Sequence, residues 1–312
     1  MVEKLPRDAF ADDIESGTIV TEGFDALSAP DGGFLAWVQC ASSFFLFMGT
    51  WGIANSFGIG SSGAALGGII FPIIFHHLQP RLGFGWTIRV IAFIMLLLFF
   101  LPVLGMKMRV RPSIARRVFE FRAWKELPFF LSGVFLFLAF FGTYIPSFYI
   151  QSYGEANSIA IGFYLVPILN AGSLFGRLIP PYIADYAGVF NTEIACVLLA
   201  GILAFVWISV HDTVGLIIYT IVYGFFAGAL TGLSPNIAIA LSPDIGLLGV
   251  RLGMLLIPIA LGLLFGNPIA GAISSHGWMG LQLFTGGAVL LSTVVIVIVR
   301  VVMYGWSWKT KC

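Results

Sequence analysis

The chain has 312 residues, 59% of them hydrophobic and only 10% charged, with a formal net charge of +1 and a mean hydropathy of +0.98. A soluble domain is about 45–50% apolar and about 25% charged, so composition excludes a water-soluble fold and leaves an all-α, polytopic membrane protein. The small net charge hides a sorting of signs along the chain, which is more informative than the total.

The first 31 residues are acidic, with Glu3, Asp8, Asp12, Asp13, Glu15, Glu22, Asp25 and Asp31 against Lys4 and Arg7. They lack the basic start, apolar core and cleavage site of a signal peptide. Residues 1–32 therefore read as a disordered polar tail. A helix needs about 20 consecutive apolar residues to cross the hydrocarbon core. That test gives about nine spans, at 34–58, 61–78, 85–106, 127–150, 159–178, 193–210, 213–234, 252–275 and 279–304. They divide into an incomplete N-terminal bundle over 33–106, a basic linker over 107–126 and a six-helix C-terminal bundle over 127–304. A short tail, 305–312, follows.

The first two spans adjoin oddly. From Phe34 to Phe75, 42 residues carry no charge, which is too long for one span and barely two. Asn55 to Gly63 contains neither a charge nor a proline, and reads as two segments joined at a glycine-rich turn. Gly58, Gly60 and Gly63 match G-x-G-x-x-G in spacing, but no acidic residue stands about 20 positions on to hold a ribose, so no dinucleotide site is expected.

The linker carries Lys107, Arg109, Arg111, Arg116, Arg117, Arg122 and Lys125, opposed by Glu120 and Glu126. The positive-inside rule makes it cytoplasmic. Counting helices forward then puts Arg177, Arg251, Arg300, Lys309 and Lys311 at cytoplasmic ends, while the opposite connections contain no Lys or Arg. Counting backward through three spans puts the N-terminal tail on the far side. Trp37, Tyr149, Trp278, Tyr304, Trp306 and Trp308 form an expected interfacial belt.

Polar residues within spans are candidates for solute contact, because burial in lipid disfavours them unless they face a cavity or a partner. Asn55, Asn170, Ser173, Arg177, Asn236 and Asn267 are the substrate-facing candidates; Gln39 is a further polar position. Arg89 is expected to snorkel to the interface. Arg177 could reach either an anionic solute or the cytoplasmic headgroups. Pro146, Pro167, Pro235, Pro258 and Pro268 interrupt spans and favour a bent, cavity-lining bundle. Gly63/Gly67, Gly172/Gly176, Gly224/Gly228/Gly232 and Gly262/Gly266 are one turn apart, and let helices approach closely. His76 and His77 point about 100° apart and do not make the i, i+4 pair of a zinc site. Cys40, Cys196 and Cys312 have no metal or disulfide spacing. No catalytic set is present, so an enzyme, a cofactor and a metal are not expected.

Pro30-Asp31-Gly32-Gly33-Phe34-Leu35-Ala36-Trp37 resembles the D-G-G-x-x-A-W opening of the fungal monocarboxylate porter-like family of the major facilitator superfamily. Thr50-Trp51-Gly52-Ile53-Ala54-Asn55-Ser56-Phe57-Gly58 is similar to the end of that family's first helix. Ser62 to Arg89 resembles its fifth helix and the start of the sixth, Gly176-Arg177-Leu178 with Ala184-Asp185 and Gly188 its connection after the eighth, and Leu241 to Met254 its approach to the eleventh. The resemblance implies a transporter working by alternating access, with Asp31, Gly32, Gly33, Trp37, Asp185 and Arg251 in conformational motifs. It also implies that helices two to four are absent, leaving about nine spans instead of twelve. The acidic residue expected one turn before the eighth-helix Arg is replaced by Ser173, so the resemblance does not fix the solute. The expected partners are the lipid bilayer and a small organic solute, not nucleic acid; the oligomeric state is open. The alternative is a truncated, non-transporting membrane protein.

Overall fold

The structure, a computed structural model, describes residues 57–105, 119–243 and 245–306. Asp31, Gly32, Gly33, Trp37, Asn55, all but the last two residues of the first expected span, most of the basic linker and most of the short C-terminal tail lie outside the described residues. Among those described there are helices and no strands. They are α1 (Phe57–Gly105), α2 (Leu127–Thr143), α3 (Ile145–Ala156), α4 (Leu165–Ala187), α5 (Val189–Val206), α6 (Thr213–Ala240), α7 (Ile245–Ser274) and α8 (Trp278–Tyr304). Short 3-10 turns occupy Ala123–Lys125, Gly162–Tyr164 and Trp207–Ser209.

Among the described residues, seven helical stretches are long and apolar enough to cross a membrane, with α2 and α3 together forming one of them. The spans expected at 61–78 and 85–106 form one 49-residue element broken at Gly83, whose φ of 73° and ψ of 166° are not helical. Gly83 takes that conformation because it has no Cβ. The glycine-rich turn expected before Gly63 is not seen within 57–63, since α1 already begins at Phe57.

Several boundaries differ from those read in the sequence. α4 runs through Pro180 and Pro181 to Ala187, and a single residue, Gly188 (φ 91°), separates it from α5. α5 therefore starts four residues earlier than its apolar run suggested. α6 and α7 continue through Pro235, Pro258 and Pro268. Pro167 lies in the first turn of α4, where its missing N–H removes no intrahelical bond. Pro146 alone stands at a break, just after Tyr144 divides α2 from α3. Asp212 caps α6, its Oδ2 accepting from the Gly215 N–H at 2.8 Å.

The buried apolar side chains form two groups at opposite ends of the helices. One gathers Phe129, Leu136, Phe190, Val197, Leu230, Met254 and Val299. The other gathers Ile145, Tyr153, Leu165, Trp207, Tyr219, Tyr223 and Leu281.

α4 and α6 approach most closely. A Cβ on Gly172 would collide with the Ile221 carbonyl, one on Gly176 with the Phe225 carbonyl and one on Gly224 with the Leu169 carbonyl. The glycines of the two helices thus interlock, as their spacing predicted. Gly262 and Gly266 meet the backbone of Phe137 and Phe141 on α2 in the same way. Gly63 is an exception, with open space where its Cβ would be. Gly68 is the α1 glycine that another helix approaches, with Asn170 Oδ1 2.5 Å from its would-be Cβ.

Candidate functional site

Asn170, Ser173 and Arg177 lie at i, i+3 and i+7 on α4, a spacing that puts all three on one helix face. That face meets α1. Asn170 Nδ2 lies 3.4 Å from the Gly68 carbonyl and donates to the Val166 carbonyl at 3.0 Å. Two turns further on, Arg177 Nη1 donates to the Ser61 carbonyl at 2.5 Å, and its Nε to Ser173 Oγ at 3.2 Å. The numbering falls by seven on α1 as it rises by seven on α4, so the two helices run antiparallel across these contacts.

Arg177 is only 6% exposed, and among the described residues no carboxylate pairs with it. The phenol of Tyr144, at the break between α2 and α3, lies within electrostatic range of the guanidinium. A buried guanidinium with planar, forked donors and no anionic partner suits a carboxylate or another planar anion. The helix is interrupted at Tyr144, between α2 and α3, and a break within a span is tolerated where it is buried in protein or lines a cavity.

The other candidates lie elsewhere. Asn267 on α7 has a buried Oδ1 without a hydrogen-bond partner, and its backbone carbonyl accepts from Tyr149 Oη at 3.0 Å. Tyr149, expected in the interfacial belt, is thus half-buried and tied to α7. Asn236 is half-buried on α6 and makes no hydrogen bond to the α4 group. Asp185 is exposed near the end of α4. Arg89 is exposed too, with its guanidinium 5.0 Å from the Trp86 ring centroid. His76 stacks on Phe163 at 4.1 Å, and the described residues contain no cluster suited to a metal.

Arg251 is held differently. Its Nε and Nη2 donate to Glu120 at 3.0 and 3.4 Å, and Nη1 and Nη2 to Glu126 at 2.8 and 2.7 Å. Nη1 also donates to the Leu241 carbonyl at 2.7 Å. One guanidinium therefore ties the end of the linker to the end of α6 and the start of α7. Read in sequence, Glu120 and Glu126 are minority charges in a basic segment, and nothing local links them to position 251.

Sequence reasoning also missed Tyr144 and Glu193. Tyr144 becomes notable only through the helix break beside it. Glu193 stood at the edge of a span starting at 193, but the early start of α5 carries it one turn into the helix, where it is fully buried. The apolar pair Val189-Phe190 just before it was the available signal.

Length, apolarity and burial together define an integral, multi-pass membrane protein. The chain is similar to fungal transporters of the major facilitator type. It is 40% identical over 253 residues to the MFS-type transporter dbaD of Emericella nidulans, a match covering 79% of this chain and 57% of that protein. It is 35% identical to the agnestins efflux protein AgnL12 of Paecilomyces divaricatus, over 78% of this chain and 57% of the relative. It is 30% identical to the aspyridones efflux protein apdF of Emericella nidulans, over 82% and 53% respectively. The chain thus spans little more than half the length of these curated relatives. No family model matches it.

Proposed function

We propose that this chain is a secondary transporter of a small organic solute, of the fungal monocarboxylate porter-like type, working by alternating access. The observation that carries the reading is the buried Arg177, held at the α1–α4 contact by a backbone carbonyl and a serine hydroxyl and not by a carboxylate. Such a cation can exchange its weak neutral partners for an anionic group on a solute, and then return to them when the solute leaves. Ser173 is bonded to it, Asn170 shares its helix face and Tyr144 lies within its electrostatic range; Asn236 and Asn267 line other parts of the pathway in this proposal. Arg251, with Glu120 and Glu126, acts as a joint between the linker and α7, and Asp185 as part of the loop motif after α4. Two relatives are named as efflux proteins, which supports outward movement. The proposed architecture has nine spans, lacking the counterparts of helices two to four.

The test is flux of a panel of labelled organic acids and neutral aromatic metabolites in yeast expressing this chain, beside yeast expressing the dbaD relative. Saturable flux that the chain supports is the expected result. Flux with the relative and none with the chain would reject the proposal.

A second reading, a non-transporting membrane protein, is favoured by the side chains of α1. Leu66, Ile70, Phe84, Trp86, Phe93 and Leu96 are all exposed, and hardly any of this span is buried, against about a third or more of each other described span. A rocking mechanism needs a second bundle that packs on itself. A glycosylation tag on the N-terminus separates the architectures, since nine spans require it to be modified on the extracytoplasmic side and an even number would leave it unmodified.

A further inference from the structure

Glu193 lies about 6 Å along α5 from its first residue, given a rise of about 1.5 Å per residue. Its side chain is 0% exposed, and both carboxylate oxygens lack a hydrogen-bond partner. Phe190 and Val197, one turn either side on the same helix, belong to the buried apolar core.

The groups on the elements packed around α5 do not neutralise it. On α8, Arg300 donates to Asn191 Oδ1 at 2.9 Å and to the Gly305 carbonyl at 2.6 Å, and gives Glu193 no hydrogen bond. On α6 there is no charged side chain between Thr213 and Ala240, and the hydroxyls of Thr231 and Ser234 donate to their own helix at Gly228 and Leu230. On α4, Arg177 is engaged with Ser61 and Ser173, while Asp185 is exposed. On α2, Ser132 Oγ is buried without a partner of its own. Cys196, on α5 itself, is a free thiol.

An ionised carboxylate in such a place carries a large desolvation penalty with nothing to offset it, whereas the penalty for the uncharged acid is much smaller. The side chain is one turn from the single-residue connection at Gly188, so a small separation of α5 from α6 and α8 at that end would admit water. We propose that Glu193 is a proton-binding site that is loaded in the packed conformation and unloaded when this end of the helices opens. In unloading, the carboxyl O–H bond breaks and the proton passes to water, leaving the carboxylate hydrated; packing again requires a proton to be taken up. The site is distinct from the Arg177 group, and its use in coupling rests on the transport reading above.

The test is infrared difference spectroscopy of the full chain in lipid vesicles, with glutamate carboxyls isotope-labelled. The expected result at neutral pH is an isotope-shifted carboxylic-acid C=O band that exchanges in heavy water and fades reversibly in alkaline buffer; Glu193→Asp moves it to the unlabelled frequency, and Glu193→Gln abolishes it. Wild-type and Glu193→Gln spectra that coincide would overturn the proposal, as would a band that neither exchanges nor fades, because the proton would then be locked in place. The Asp variant keeps the test valid should the Gln variant fail to fold. Absence of solute flux in the same vesicles would count against the transport reading, while the band still reports on the proton site.

Discussion

Glu126 and Arg251 meet across 125 residues of sequence, with Oε1 of the first accepting from Nη2 of the second at 2.7 Å. The guanidinium is 1% exposed and the Glu126 side chain 44%. The two partners therefore bear the loss of the other very differently.

Removing Arg251 also frees Glu120, which is 16% exposed, and leaves the Leu241 carbonyl without its donor. Arg251→Ala should destabilise by about 3 kcal/mol, the range for breaking a buried pair. Arg251→Lys should lose most of this, because an ammonium cannot reproduce the forked contact with two carboxylates. Glu126→Gln should lose about 1 kcal/mol or less, since water can replace its exposed oxygens. Thermal unfolding of the purified chain in one detergent will rank the three variants.

The interlocked glycines of α4 and α6 give a second prediction. Gly176→Leu places a branched side chain where the Phe225 carbonyl already lies. The helices must separate, with a loss of about 3 kcal/mol or more. Gly63→Leu, with open space around it, should leave the melting temperature nearly unchanged. Equal effects at both positions, measured in the same melting assay, would contradict the α4–α6 contact.

Gly83 isolates a backbone effect from a packing effect. No atom lies within 4 Å of its would-be Cβ, yet its φ of 73° with ψ of 166° lies where side chains are strained. Gly83→Ala should destabilise by about 1–3 kcal/mol through conformation alone. Gly85→Ala, also uncrowded and with ordinary φ, should change stability by about 0.5 kcal/mol or less. Limited proteolysis near residue 83 offers a local check, with faster cleavage expected in the first variant only.

Arg177 carries the functional prediction. A hydrogen bond to a charged group contributes about 1.5–3 kcal/mol, so Arg177→Ala should reduce flux of an anionic solute about tenfold to a hundredfold. Arg89→Gln should leave flux unchanged, because Arg89 is exposed and rests on its own helix's Trp86. Initial rates in expressing cells, normalised to protein in the membrane, are the measure.

Much of the membrane architecture was legible in the residues alone. Uncharged runs as long as the hydrocarbon core is thick are satisfied there by helices, so the membrane-spanning stretches between Leu127 and Tyr304 are visible in the residues themselves. The glycine spacings of Gly172/Gly176 and Gly224/Gly228/Gly232 likewise announced faces that let a helix approach closely, because a missing side chain once per turn has an immediate steric meaning; that the two faces meet each other is a tertiary fact. Helix ends were less legible. An apolar count cannot tell that α4 passes Pro180 and Pro181, nor that Gly188 alone turns the chain into α5.

Those ends matter because they decide which polar groups lie inside. A shift of four residues at the start of α5 moves Glu193 from a helix edge into the core. The meeting of Asn170 with Gly68, and of Arg177 with Ser61, depends on the register of two antiparallel helices more than 100 residues apart. Composition and periodicity determine that the chain enters a membrane as helices, since lipid imposes that on each segment separately. Tertiary structure decides which charges are paired, which are buried alone and which face lipid, because those outcomes belong to contacts between segments and not to any segment itself.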